Sequence, residues 1–235
     1  EEVVLNVQGY LLRSSLPPIF KMEQLPKNPR AAKQSVVLTG LGSDRFDDCG
    51  RAVMEIHSYF STVLPPDTLL PWNIIRDEGN ICLEFANRYF ASMDLSMPEQ
   101  QAIEFSKATD PNRVLENLAS DLIHTDDNEV LYFERFSTAE PLYVYISQVY
   151  VACDPIGVRL GQLVEVQVAF CTVPISKGRH LMLSKLRSVC ILSRDVQSVR
   201  RRDILDLQDM NHEAFSIGKR VPISPTKKLK RRVGY

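Results

Sequence analysis

The runs LVEVQVAFCTVPI (163–175) and RHLMLSKLRSVCIL (179–192) decide how the second part of this chain folds. They are separated only by Ser-Lys-Gly, a short turn ending in glycine of the kind that joins two antiparallel strands. The first run alternates apolar and polar residues, as a half-buried strand does. Its apolar face is formed by Val164, Val166, Val168 and Phe170. The sequence therefore predicts a β-hairpin within a barrel-like or sandwich-like half of the fold.

Two earlier runs have the same strand-like character. EVLYFERF (129–136) and LYVYISQVYVA (142–152) are rich in β-branched and aromatic residues and are bounded by Pro141 and by Asp154-Pro155. Together with the hairpin, they predict a meander of at least four strands from Glu129 onwards.

The first half of the chain indicates helices instead. VVLT (36–39) reads as a short strand, the glycines of GLG (40–42) as a turn, and Ser43 or Asp44 as the N-cap of a helix that Pro65 ends. Two more helices are predicted over 81–90 and 98–107. A third is predicted from Asp110, an N-cap followed by proline at the first helical position. Its apolar face would be Val114, Leu115, Leu118 and Leu122.

These patterns predict an α+β fold, with a helical N-terminal half packed on an antiparallel β-barrel or sandwich-like C-terminal half and a basic C-terminal arm. Residues 1–35 contain four prolines and are expected to form an extended arm after a short strand. Residues 36–197 are expected to form one globular domain, mainly helical over 36–125 and mainly β over 129–197. Residues 198–235 complete a short helix, 196–210, and a basic tail.

Composition narrows the functional class. The 235 residues are 44% hydrophobic, which is enough for a substantial core, but no apolar run approaches the roughly 20 residues that cross a bilayer. The five cysteines are spread singly, which argues against structural zinc and against a secreted disulfide framework. We therefore expect reduced thiols in a nuclear or cytoplasmic protein without a membrane span.

Charge is unevenly distributed along the chain. Residues 198–235 contain ten basic and four acidic residues, whereas residues 1–197 contain 18 basic and 25 acidic residues. The densest basic run, KKLKRR, is typical of a nuclear-import signal or of an arm that neutralises phosphates. Its cations are Lys227, Lys228, Lys230, Arg231 and Arg232, and Arg200, Arg201 and Arg202 lie further upstream. A solvated tail without function is the alternative interpretation.

The hairpin adds two more cations. Lys185 and Arg187 share a face of its return strand, and aromatic residues interleave with polar ones in the neighbouring strands. An antiparallel sheet with cations and aromatics on an exposed face is how small barrels bind single-stranded nucleic acid. The alternative is that the aromatic residues pack in the core and the Lys-Arg pair is merely solvated.

One motif points to a different chemistry. His124-Thr125-Asp126 has the H-x-D spacing that supplies two of the three iron ligands in non-haem oxygenases. The motif resembles that of 2-oxoglutarate-dependent oxygenases, which implies Fe(II) and 2-oxoglutarate as cofactors. His180 would then supply the third ligand, and Arg187 would hold the co-substrate carboxylate. The alternative is a polar turn formed by Asp126, Asp127 and Asn128.

The combination HTDDNEVLYFER (124–135), RLGQLVEVQVAF (159–170) and the K-x-R of the hairpin resembles uncharacterised, lineage-expanded proteins of mushroom-forming fungi. The resemblance covers about residues 80–195. It implies a fungal origin, an association with mobile elements and residence in the nucleus. It implies no activity and transfers no catalytic residue.

The sequence thus favours a non-enzymatic module of the nucleus that associates with DNA or RNA through its basic tail, or with a protein partner, and that needs no cofactor. The two alternatives are the Fe(II)-dependent oxygenase and a structural subunit of a larger assembly.

Overall fold

A computed structural model describes residues 2–92, 101–118, 122–139 and 146–194. Within these ranges the chain forms one α-helix, α1 (Asp44–Val63), and ten strands. The strands are β1 (Leu5–Ser15), β2 (Lys33–Thr39), β3 (Ile75–Asp77), β4 (Asn80–Arg88), β5 (Ala91–Ser92), β6 (Leu122–Ile123), β7 (Leu131–Ala139), β8 (Ile146–Ala152), β9 (Leu163–Ile175) and β10 (Arg179–Ser193). The described part of the chain is therefore mostly β.

Five of the strands close into a barrel. β1 pairs with β2 and β9, β9 pairs with β10, and β4 pairs with β2, all antiparallel. The barrel closes where β10 runs parallel to β4, with Lys185 opposite Ala86. Numbered in chain order, the barrel strands follow each other as 1-2-3-5-4-1 with one parallel pair. This is the arrangement of the five-stranded Greek-key barrels called OB-folds.

Alternate residues of each barrel strand point inward and form the core. Fully buried side chains come from all five strands: Leu11, Val36, Leu38, Leu83, Phe85, Val164, Val166, Val168, Leu186, Val189 and Ile191. Helix α1 covers one end of the barrel with Phe46, and a Cβ at Gly40 would collide with that ring. The glycine is needed at this position because the chain passes directly against Phe46.

A second, smaller core holds the β1–β2 loop (16–32) against the far end of β4. The loop contributes Ile19 and Ala32, which are buried among side chains of later segments: Tyr89, Phe90, Leu115 and Leu122. Two backbone bonds support this packing, from Ile19 N–H to the Thr109 carbonyl at 2.9 Å and from Tyr89 N–H to the Ala32 carbonyl at 3.0 Å. The loop is therefore anchored at two points.

The last part of β10 stays paired with β9 and, on its other side, pairs with β7 instead of β4, which extends the sheet. Its residues 188–191 pair in parallel with β7, and β7 forms an antiparallel hairpin with β8. The resulting eight-stranded sheet has β3 at one edge and β8 at the other. β9 and β10 form the hairpin that the sequence predicts, with thirteen paired positions from Leu163 to Ile175.

The predicted fold class is wrong, because the first half of the described chain is not helical. The helix predicted after Ser43 is confirmed, with Ser43 as its N-cap. The helix predicted over 81–90 is instead β4, whose Ile81, Leu83 and Phe85 alternate into the core. Residues 101–107 form no helix, and residues 111–118 form only a 3-10 turn, Glu116–Leu118.

The second half is not a simple meander either. β7 and β10 run parallel, and β9 pairs with β1 from the opposite end of the chain. Long-range pairing of this kind cannot be read from local patterns.

All five cysteines are free in the structure. Cys171 lies opposite Leu183 and Cys190 opposite Glu165, so the two hairpin cysteines do not face each other. The described residues include no helix that is long and apolar enough to span a membrane.

Candidate nucleic-acid interface

The outer surface of β1, β2 and β4 is lined with small side chains. Strand register places Ser15 opposite Ser35, Ser35 opposite Ala86, and Ala86 opposite Lys185. Since neighbouring strands lie about 4.8 Å apart, this row spans roughly 14 Å across the barrel. Its middle is a low floor that an extended ligand can cross.

Cations surround this floor. Lys33 and Arg88 are paired in register at one end of the face, and Arg13 projects from β1 beside Val37 of β2. All three side chains are exposed. We call this surface the open face and define it by Arg13, Ser15, Lys33, Ser35, Ala86 and Arg88.

The cations of the open face are lightly engaged. Within the described part of the chain, no ion pair involves Arg13 or Arg88. Lys33 lies 2.7 Å from a carboxylate oxygen of Glu84, and both side chains are more than a third exposed. An ion pair this exposed contributes about 0–1 kcal/mol, so an anionic ligand can compete for the lysine.

Two loops flank the open face and carry further exposed basic residues. The β1–β2 loop contains Lys21 and Lys27 and joins β2 at Lys33. The turn between β9 and β10 contains Lys177, in left-handed conformation with φ 65°, followed by Arg179. Because β10 runs parallel to β4, this turn lies toward the end of the face opposite to Lys33 and Arg88.

Acidic residues concentrate elsewhere, on α1 and on the turn between β3 and β4. These residues are Asp44, Asp47, Asp48, Glu55, Asp77 and Glu78. These carboxylates lie away from the open face, which carries Glu84 beside Lys33, so an anion approaching the molecule is favoured at the open face over α1.

Lys185 and Arg187, which the sequence assigns to a basic face, are held in a cluster of charges instead. Arg187 is only 6% exposed, and its guanidinium binds the Asp127 carboxylate at 2.7 Å, the Asp127 carbonyl at 2.6 Å, and Glu2. Lys185 donates to the other Asp127 oxygen at 2.6 Å. We call these four residues the β10 charge cluster.

The cluster is electrostatically coupled. Burial acts to raise the pKa of Asp127, but the charges of Arg187 and Lys185 outweigh it and leave the pKa below its usual value. The pKa of Arg187 is raised, because the hydrogen bond to Glu2 and the nearby carboxylates outweigh the effect of its burial. Both arginine and aspartate therefore stay charged, and Arg187 has little surface left for a ligand.

His124, Asp126 and His180 do not come together. His124 is buried, stacks on Phe105 with ring centroids 3.9 Å apart, and hydrogen-bonds the Tyr89 carbonyl through Nδ1 at 2.7 Å. Its pKa is lowered by burial, against the effect of that hydrogen bond. Asp126 is exposed in the 3-10 turn 126–128.

His180 lies at the start of β10, where Nδ1 is 3.3 Å from the hydroxyl oxygen of Thr68. No group of three or more histidine, cysteine, aspartate or glutamate side chains within the described ranges is arranged to hold a metal ion. The oxygenase site that the motif suggested thus has no geometric basis there.

Other sequence-predicted residues lie outside the described ranges. They are Arg200, Arg201, Arg202, Lys227, Lys228, Lys230, Arg231 and Arg232, together with the helix predicted over 196–210.

Sequence reasoning did not single out Arg13, Lys33 or Arg88. Each stands alone among unlike neighbours, and only the pairing of β1, β2 and β4 brings them to one surface. The one local signal is the alternation in β4, where Glu84, Ala86 and Arg88 alternate with the buried residues Leu83, Phe85 and Asn87.

Comparisons with known proteins give one result. No protein-family model and no curated protein matches the chain. Among solved structures, the fold is similar to gp2.5, a single-stranded DNA-binding protein encoded by bacteriophage T7, with a TM-score of 0.44 and 11% sequence identity. The match covers 84% of this chain and 96% of that one.

Proposed function

We propose that this protein binds single-stranded nucleic acid across the open face of the barrel. The arrangement of that face supports the proposal most directly: three small side chains form a floor, and three exposed cations stand around it. In barrels of this topology, the outer surface of the second and third strands is the surface that takes oligonucleotides. Here those strands are β2 and β4.

The cations suit phosphate groups. Arg13, Lys33 and Arg88 are spread around the floor, so they can contact successive phosphates of a sugar-phosphate backbone rather than bind one compact anion together. Contacts to phosphate position a strand without reading its bases. Binding is therefore expected to be largely independent of sequence and to weaken steeply as salt rises.

The basic tail adds to this function in the proposal. Lys227, Lys228, Lys230, Arg231 and Arg232 carry enough charge to contact phosphates or to act as a nuclear-import signal. In this interpretation the open face is the binding site, and the tail strengthens the binding of a polyanion. The proposed location is the nucleus.

Fluorescence anisotropy with a labelled oligothymidine, measured over a salt series, tests the proposal. The variant R13A/K33A/R88A removes the three cations of the open face. We expect binding at least tenfold weaker at low salt, and a log–log salt slope smaller by about 2, since each phosphate contact to a single strand contributes about 0.7.

The control variant R51A/R76A/R159A also removes three exposed arginines, but from α1, β3 and the segment before β9. It is expected to bind like the wild type. If both variants lost the same amount of affinity, only the net charge of the protein would matter, and the open face would not be the site. A variant that lacks residues 198–235 separates the contribution of the tail from that of the open face. Complete loss of binding in that variant would also contradict the proposal.

A further inference from the structure

The β1–β2 loop presents an aromatic ring on a fixed backbone. Phe20 is 45% exposed, yet its N–H donates to the side-chain oxygen of Gln24 at 2.7 Å and its carbonyl accepts from Asn112 at 3.0 Å. The preceding residue, Ile19, is buried in the second core and bonds the Thr109 carbonyl. The ring of Phe20 is therefore held out toward solvent from a well-anchored main chain.

An exposed phenylalanine is not in itself a binding residue, and Phe136 on β7 has the same exposure, 46%. What distinguishes Phe20 is its surroundings. Lys21 follows it directly, and Met22, also exposed, extends the apolar surface. The loop then enters β2 at Lys33, which is paired with Arg88 at the same end of the open face.

A rigid aromatic beside cations suits one chemical group well, the unpaired base of a nucleic acid. Every base has a flat face that stacks on an aromatic ring, and the neighbouring phosphate needs a positive charge. Because the backbone of Phe20 is already ordered, little conformational freedom is lost when a base stacks on it.

We infer that Phe20 is a base-stacking residue and that it makes the site selective for strands with unpaired bases. This inference rests on the proposed function, since it concerns the same bound strand. The cations of the open face hold phosphates whether or not bases are present. Phe20 acts only on a base that is free to leave its partner, so duplexes and abasic strands lose this contact.

The experiment compares oligothymidine with an abasic strand that has the same number of phosphates. Phe20→Ala and Phe20→Leu should both bind oligothymidine roughly tenfold more weakly than the wild type, the size expected for one base–aromatic stack. Binding of the abasic strand and the salt slope should stay unchanged. Phe20→Trp should bind oligothymidine at least as tightly as the wild type.

Phe136→Ala is the matched control, because it removes an equally exposed ring from the β7–β8 hairpin. It should leave both affinities unchanged. A strand containing 2-aminopurine provides a second readout, since its fluorescence falls when the base stacks, and this quenching should be lost in Phe20→Leu.

The outcomes separate the two proposals. If the wild type binds oligothymidine, R13A/K33A/R88A does not, and Phe20→Leu behaves like the wild type, the stacking inference is wrong while the proposed function stands. An equal loss on the abasic strand would likewise overturn the inference, because the residue would then act on the backbone or on the fold. If the wild type binds no nucleic acid at all, the proposed function itself fails.

Discussion

Arg13 and Arg187 lie on strands of the same barrel at irregularities of register: Arg13 follows the shift in β1, and Arg187 is the residue that the shift in β10 leaves unpaired with β9. Arg13 is exposed and has no ion-pair partner among the described residues. Arg187 is buried between Asp127 and Glu2. The same residue type is thus available to a ligand at one position and fixed in the structure at the other. The position of carboxylates, not the presence of a cation, decides which role an arginine has.

The largest expected difference between the two arginines is in stability. Arg187→Met should lower the free energy of unfolding by about 2 kcal/mol, because it removes a buried guanidinium from its hydrogen bonds to Glu2 and to Asp127, while Lys185 still pairs with Asp127. Arg13→Met should change it by no more than about 0.5 kcal/mol, as for most exposed sites. Denaturant unfolding followed by circular dichroism measures both. A similar loss of unfolding free energy in the two variants would contradict the distinction between the open face and the β10 charge cluster.

The second prediction concerns the stability of the fold at acidic pH. Because the pKa of Asp127 is depressed in the folded protein, its contribution to stability is present above its usual pKa of 3.8 and is lost as pH falls through the lower folded value. Wild type should therefore be more stable than Asp127→Asn at neutral pH, and the difference should shrink as pH falls below 3.8 and through the lower folded value. Unfolding curves from pH 2.5 to 6 check this. A difference that does not change with pH would contradict the charge coupling.

A third prediction compares two cations in binding. Arg13→Ala should weaken binding of oligothymidine and reduce the salt slope by about 0.7, the value for one phosphate contact. Lys185→Ala should have a smaller effect on both, since Asp127 already neutralises that lysine at 2.6 Å. Anisotropy titrations at several salt concentrations distinguish them. A larger effect of Lys185→Ala would place the strand over β10 instead.

The smallest expected effect concerns Glu84, the carboxylate that pairs with Lys33 of the open face. Glu84→Gln removes the exposed partner of Lys33 and should strengthen binding about twofold at low salt, in keeping with an ion pair of about 0.5 kcal/mol. Glu55→Gln on α1 makes the same change of charge away from the open face and should have no effect. If both substitutions strengthen binding equally, Glu84 acts only through the net charge.

Local patterns predicted some of these features and missed others for identifiable reasons. The sequence predicts a helix from Ile81 to Phe90, where the structure has β4, because a short apolar run fits the helical period as well as the strand period. The prediction of Asp110 as the N-cap of a helix is wrong, because no helix follows it; its carboxylate instead accepts from the N–H groups of Val114, Leu115 and Glu116 at 2.7–3.0 Å and so orders the loop. The chain then forms a 3-10 turn, with Leu115 buried in the second core.

Several sequence-based hypotheses stay predictions. They are the resemblance to fungal proteins, nuclear location, a protein partner or larger assembly, and the role of the basic tail.

The amino-acid order alone is enough to predict the β9–β10 hairpin and helix α1. Both follow from local signals: alternation and a short turn for the hairpin, and a serine before the helix with a pair of prolines after it for α1. The barrel and the open face, in contrast, arise from pairing between distant segments of the chain. β1 pairs with β9 across more than half of the chain, and this pairing, with those of β2 and β4, brings three isolated cations to one surface while Asp127 and Glu2 enclose Arg187. Contacts at such separation depend on which buried faces fit together, and no local pattern encodes that choice.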